Sequence, residues 1–455
     1  MTLIQRPKKI QTAATTDSIG FWSAFAFWLQ LGFISFGGPA GQIAILHREL
    51  VEKRLWMSER RFLHALNYCL VLPGPEAQQL ATYLGWLMHG TLGGIVAGTL
   101  FVLPSLLILL ALSSLYLTFG ELPLWAGLFA GIKPAVTAIV LQAAHRMGSR
   151  GLKTPWLWVL SLASFMATSF LSVSFPLIIG AAAAIGWIAR RFLPHPASPV
   201  TGPNTRKKND GRALIDDNTP IPVHAQFLWI RLFRVLLTGG LLWLGSMAGL
   251  VVYFGWAHTL TQMGWFFTKA ALLTFGGAYA VLPYVCQGAV DHYGWLTSEQ
   301  MMDGLALGET TPGPLIMIVA FVGFVGGAFK AVFGPEATFL AGTVAAVVAT
   351  WFTFLPSFLF ILAGGPLVES SRDDLRFSAP LTAITAAVVG VILHLALYLG
   401  HQVLWPQGLS GGLDGVAATL TLLAVLALLP FKWGVIPVII VSAGLGLILK
   451  STHLW

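Results

Sequence analysis

Four short motifs hold the residues of this chain best suited to chemistry. In the first half, Ser35-Phe36-Gly37-Gly38-Pro39 and Pro73-Gly74-Pro75-Glu76 interrupt apolar runs; in the second half, Thr274-Phe275-Gly276-Gly277 and Glu309-Thr310-Thr311-Pro312-Gly313-Pro314 do the same. Proline removes a backbone donor and turns the residue before it away from helix, glycine accepts positive φ, and proline at a first helical position favours a new start. The chain is therefore expected to stop and restart as helix at about Pro39, Pro75 and Pro314. Each restart offers three or four N–H groups and the positive end of a helix dipole, an anion site in a medium with few competing ligands. Packing or gating kinks are the bland explanation of one such break. Four breaks at duplicated positions point instead to a cradle for a tetrahedral oxyanion.

Charged and polar residues near the breaks extend this reading. Lys269, five residues before Thr274, and Lys133, beside Pro134, lie within apolar segments, where ionisable groups are costly and functional by default. Both are expected to neutralise a bound anion, unless they snorkel to an interface. Glu76 is read as a helix cap, a proton carrier or the partner of a lysine, and Glu309 as a second proton carrier. Gln78, Gln79, Thr310 and Thr311 are neutral groups able to contact substrate oxygens. His64, His89 and His394, and the glycine pairs Gly94/Gly98, Gly127/Gly131 and Gly245/Gly249, are read as packing positions. Cys69 and Cys286 fall inside apolar runs and form neither a disulfide framework nor a zinc site. No Gly-Lys dipeptide occurs, so there is no phosphate loop for ATP; no cofactor is expected, and energy must come from a gradient, the membrane potential or a partner chain.

The elements that position these residues are membrane helices. Of 455 residues, 56% are apolar and 10% charged, against roughly 25% charged in soluble domains. Apolar segments recur at about 21–45, 62–89, 91–118, 123–145, 155–175, 176–190, 227–254, 259–288, 299–327, 338–362, 378–399, 412–430 and 434–450. Most are long enough to cross a hydrocarbon layer ~30 Å thick. The alternation of a membrane barrel is absent, leaving an all-α polytopic membrane protein of 12–13 segments. Soluble enzymes and nucleic-acid binders are excluded, despite a net charge of +8.

At an offset of 239 residues the stretch from Ser35 to Pro75 aligns with Thr274 to Pro314 without a gap, giving nine identities in 41 positions. They gather at Phe-Gly-Gly, the tryptophans Trp56 and Trp295, and Pro-Gly-Pro, the mark of an internal duplication. Leu103-Pro104-Ser105 then finds Leu355-Pro356-Ser357. The chain divides into a first repeat (1–193, with a cytoplasmic tail 1–17), a cytoplasmic linker (194–226) expected to be mobile, a connecting helix (227–256) and a second repeat (257–455). Placing the tail, 48–61, 146–153, 190–234, 363–377 and Lys432 inside accounts for 22 of the 26 basic residues. The connecting helix then inverts the second repeat, a construction that places substrate near the midplane. Two readings remain for 21–45 and 62–89, which either re-enter or span, with re-entry favoured by the basic stretch Arg48 to Arg61.

The motif Ser35-Phe36-Gly37-Gly38-Pro39-Ala40-Gly41, then Trp56, then Leu72-Pro73-Gly74-Pro75-Glu76-Ala77-Gln78-Gln79-Leu80-Ala81-Thr82-Tyr83-Leu84-Gly85-Trp86 closely resembles the chromate ion transporter family, long two-domain type. The second-half motifs agree, apart from Ala278, where a third glycine is usual. The resemblance implies export of chromate across a bacterial inner membrane and chromate resistance, with a link to sulfate. Alternating access is the expected mechanism, with chromate between the breaks. Alternatives are an importer of sulfate or another oxyanion coupled to protons or sodium, a channel, and an intramembrane enzyme acting on a lipid phosphate. The enzyme would need an acid/base or metal cluster, and Asp291-His292 and Glu299/Asp303 match no ligand spacing. Partners are chromate, sulfate as a second candidate, and the lipid bilayer; a homodimer is compatible with the sequence.

Overall fold

The computed structural model describes residues 19–120, 122–189, 213–216, 219, 222–370, 378–408, 410 and 412–452. The tail 1–17 and the basic run Arg206-Lys207-Lys208 lie outside the described residues. Within them the chain is helical, apart from turns and one isolated parallel bridge between Met57 and Ile215. In lipid the backbone must satisfy its own polar groups, and the helix does so within one segment. Five helices are long and apolar enough to cross a membrane: α4 (Glu76–Phe119), α5 (Pro123–Gly151), α8 (Trp229–Phe254), α13 (Thr338–Ser370) and α14 (Ser378–Leu404).

The shorter helices build the breaks. In the first half these are α1 (Phe21–Ile34), α2 (Gly38–His47) and α3 (Glu59–Val71). Helix α4 reverses at His89 and Gly90, the latter at φ 66°, so its first limb folds back on its second. The limbs touch through glycine: a Cβ on Gly94 would lie 2.9 Å from Trp86 Cβ and 3.0 Å from the Thr82 carbonyl oxygen. The entrance of α1 lies beside that reversal, with His89 Nε2 2.8 Å from the Ile19 carbonyl oxygen. At 14 residues, α1 reaches only about 21 Å, ending with Gly32 against Pro104 midway along the second limb. After the Gly37-Gly38 break, α2 returns to the entrance, where Arg54 stacks over Phe27 and Trp56. Helix α3 descends again to Pro73-Gly74-Pro75, and the first limb of α4 climbs back to His89. α1 with α2, and α3 with the first limb of α4, thus form two helical hairpins.

The second half repeats these elements. α9 (Thr259–Leu273), α10 (Ala278–Cys286), α11 (Ser298–Thr310) and α12 (Ile318–Phe329) follow the order of α1 to the first limb of α4. A π-helical turn closes α2 at Arg48–Lys53 and α10 at Gln287–His292, 239 residues apart. Ser58 caps α3 and Thr297 caps α11, and the Trp56 and Trp295 amides bond back to Leu50 and Ala289 at 2.8 and 2.7 Å. Helix α8 runs from the linker to Phe254, which meets His258 and Phe333 at the mouth of the second copy.

Four expectations change. The linker residues 213–216 and 219 are docked rather than loose: the Leu214 and Ile215 amides bond the Leu55 and Trp56 carbonyls, and Arg61 reaches the Thr219 carbonyl. Helix α5 runs on to Gly151, so Arg146 sits on a helix rather than in a loop. After Pro314 the chain passes through a 3-10 turn, Leu315–Met317, before α12 begins. Gly245 and Gly249 meet nothing within 4 Å, because α8 presents that face outward, whereas Gly94/Gly98 and Gly127/Gly131 pack as expected.

The halves interlock. α14 packs against α5, α6 (Pro155–Leu171) and α7 (Phe175–Ala189), and α5 packs against α14, α15 (Gly415–Leu428) and α16 (Val435–Ser451). Polar ties join the copies at both ends. At the linker end, Arg61 of α3 pairs at 2.8 Å with Glu369 of α13, which also accepts from Tyr83 at 2.5 Å. At the far end, Lys133 pairs with Glu299 and lies 3.8 Å from Asp303, which accepts from Tyr116 at 2.9 Å. Breaking a buried pair strands a charge, so Glu369→Ala is expected to cost about 3–5 kcal/mol. Replacing both Arg61 and Glu369 by Met should recover most of that loss in thermal unfolding of the detergent-solubilised protein. A double variant as unstable as the single one would contradict this.

Candidate functional site

The four breaks converge inside the protein, and each half's Pro-Gly-Pro is gripped by the other half. Gly74 adopts φ 131° and Gly313 φ 100°, conformations that favour glycine. Their amides then point across the molecule. Gly74 N–H donates to the Thr274 carbonyl at 2.7 Å, and Gly313 N–H donates to the Ser35 carbonyl at 2.7 Å. The two bonds are equivalent under the 239-residue offset, so each Gly-Gly break of one copy holds the Pro-Gly-Pro of the other. The Gln42 amide adds a further bond to the Gly313 carbonyl.

Space as well as conformation demands glycine here. A Cβ on Gly74 would lie 2.5 Å from both Ser357 Oγ and Gln79 Nε2, and one on Gly313 would lie 2.6 Å from Ser105 Cβ and 3.1 Å from its Oγ. Ser105 and Ser357 belong to the two Leu-Pro-Ser sequences, which likewise face the opposite copy's glycine. The sequence reading missed them as site residues, although the duplication of Leu-Pro-Ser was its signal.

Most hydroxyls near the breaks are spent on their own helices. Ser35 Oγ donates to Leu31 and Thr274 Oγ1 to Ala270, each at 2.6 Å. Thr310 bonds back to Ala306 and Leu307, and Thr311 to Gly308. Gln78 donates to Thr82 and Gln79 to the Pro73 carbonyl, leaving both Oε1 atoms buried without a partner. Ser105 Oγ, Ser357 Oγ and Gln42 Oε1 are also buried and unpartnered.

Carboxylates, rather than lysines, lie at the breaks. A Cβ on Gly277 would be 3.7 Å from Glu76 Oε1. Glu309 accepts from the Tyr279 hydroxyl at 2.7 Å, and Tyr279 in turn lies against Gly38. Arg146 acts electrostatically on Glu309 and Tyr279; no cation or donor among the described residues pairs with Glu76. Lys133 is drawn into the far-end tie with Glu299, and about 15 Å of helix separates Glu299 from Glu309. Lys269 stacks near Trp265 and lines a surface hollow with Asp291 and His292. The structure groups Ser35, Phe36, Gly37, Gly38, Pro73, Gly74, Pro75, Glu76, Gln78, Thr274, Gly276, Gly277, Glu309, Thr310, Thr311 and Gly313 around the breaks, while Lys133 is engaged by Glu299 and Lys269 lines the surface hollow. No group of three or more potential metal ligands occurs among the described residues.

The family model described as chromate transporter matches residues 22–187 and 261–447. A chromate transport protein of Pseudomonas aeruginosa is 36% identical over 400 residues, covering 85% of this chain and 83% of its own. A probable chromate transport protein of Synechococcus elongatus is 30% identical, covering 83% and 84%, and a chromate transport protein of Cupriavidus metallidurans is 29% identical, covering 92% and 90%. No solved structure matches the chain. The two matched regions hold the two copies that meet at the crossed breaks, and on that match this multi-pass membrane protein belongs to the chromate transporter family.

Proposed function

We propose that the protein exports chromate from the bacterial cytoplasm by alternating access, driven by the membrane potential, and so confers chromate resistance. In this reading the N-terminus and linker are cytoplasmic, and the repeats are inverted about the membrane plane. The observation that carries the proposal is the reciprocal pair of bonds from Gly74 to Thr274 and from Gly313 to Ser35. Four helix breaks held together at one depth, by both repeats, form a site whose two halves move apart when the repeats rock. The ties at Arg61–Glu369 and at Lys133–Glu299 lie on opposite sides of that site. Opening one while the other stays closed exposes the anion to one face at a time.

Energetics favour the outward direction. A dianion leaving a negative interior gains about 2.3 kcal/mol per charge per 100 mV, hence about 4.6 kcal/mol. That corresponds to more than about a thousandfold in concentration. Glu76 sets a condition on binding. At about 5 Å and an effective dielectric of about 20, a dianion and a carboxylate repel by about 7 kcal/mol, so the anion enters beside protonated Glu76. If Glu76 keeps its proton through the cycle, only the dianion moves.

Glu76, buried and without a partner among the described residues, also favours a second reading, oxyanion uptake with sulfate as a substrate, in which that proton is released with the anion on the other face. Chromate flux in oriented proteoliposomes, with potential and pH gradient imposed separately, decides between them. Saturable flux that follows the potential alone is expected, and an absolute requirement for the pH gradient would overturn the export reading. In equilibrium binding, chromate affinity should fall as pH rises across the ionisation of Glu76, and Glu76→Gln should bind with no such fall. An unchanged pH profile in Glu76→Gln would remove Glu76 from the site.

A further inference from the structure

We infer that Ser105 and Ser357 are side-chain hydrogen-bond donors to the transported oxyanion, one at each crossed break, and that they recognise a fully ionised tetrahedral anion. The inference rests on the reading that the breaks bind substrate. Serine and threonine in these helices characteristically return their proton to the carbonyl four residues earlier, as Ser35, Thr82, Thr268, Thr274 and Thr353 do. Ser105 and Ser357 do not, although they are 0% and 1% exposed. A buried hydroxyl without a partner is costly and calls for one. Ser113, Thr343 and Thr350 are also unpartnered, but only Ser105 and Ser357 are aimed at the glycines of the Pro-Gly-Pro breaks.

The chemistry of the neighbours supports donation rather than another role. Thr310, Thr311, Ser35 and Thr274 have committed their protons to backbone carbonyls and have only lone pairs left to offer. The unpartnered Oε1 atoms of Gln42, Gln78 and Gln79 are acceptors. An anion with four acceptor oxygens needs donors: the Gln42, Gln78 and Gln79 amides each keep a second N–H, and Ser105 and Ser357 face Gly313 and Gly74 with hydroxyl protons that no carbonyl takes. The Leu-Pro-Ser sequences are related by the same duplication as the breaks, so each copy contributes one donor to the other's glycine. A hydroxyl also tolerates exchange among tetrahedral dianions of similar size, so sulfate is expected to compete.

The test is chromate flux and the chromate-induced rise in melting temperature for Ser105→Ala, Ser357→Ala and the double variant, each in the full chain. Each single change should raise KM for chromate about tenfold, the loss expected for a hydrogen bond to a charged group, with maximal flux within about twofold and the ligand-free melting temperature near wild type. The double variant should lose the chromate-induced thermal shift. A purely structural role would lower the ligand-free melting temperature and leave KM unchanged; that result overturns the assignment while leaving the site at the breaks intact. Wild-type protein with no saturable chromate binding would overturn both. If the double variant does not assemble, KM in the single variants decides.

Discussion

Two backbone hydrogen bonds organise this molecule: Gly74 N–H to the Thr274 carbonyl and Gly313 N–H to the Ser35 carbonyl. In a bilayer, a chain that stops being helical at mid-depth leaves donors and acceptors that water cannot reach. α1, α3, α9 and α11 are 13–15 residues long and end at the breaks. The loose ends of one copy meet the loose ends of the other. Neither repeat satisfies its breaks alone, so the requirement that each buried amide find a partner also brings the two copies together. The interlocked packing of α5 and α14 and the ties at the two ends are consistent with that central crossing.

Much of this was legible in the sequence. Thirteen apolar segments, the breaks at Gly-Gly and Pro-Gly-Pro, and the 239-residue duplication are all properties of residue type and spacing, and the helices begin and end close to where those signals place them. What was not legible depends on distant partners. Arg146 read as a loop cation because the apolar run ends before it, yet the helix continues and brings it within electrostatic reach of Glu309. Lys133, expected to neutralise an anion or to snorkel, is paired with Glu299 and near Asp303, acidic partners some 170 residues away in sequence. The docking of Leu214 and Ile215 against Leu55 and Trp56 is likewise nonlocal, and composition had marked that stretch only as polar linker.

The serines illustrate the same limit from the other side. Leu-Pro-Ser was visible as a repeated tripeptide, but its meaning depends on where each hydroxyl points. Pro104 and Pro356 lie inside long helices, and the serine after each faces a glycine contributed by the other copy. Acidic side chains beside the proposed anion site look contradictory until the anion and the proton are considered together. In the proposed cycle a protonated Glu76 admits the dianion, and Glu309 accepts from the Tyr279 hydroxyl.

The position of chromium in the protein tests the crossed breaks as the substrate site most directly. Crystals of the full chain grown with chromate and measured at the chromium absorption edge should show an anomalous peak beside Gly74, Gly313 and the serines that face them. A peak at the hollow lined by Lys269 and Asp291, or beside Lys133, with none at the breaks, would contradict it.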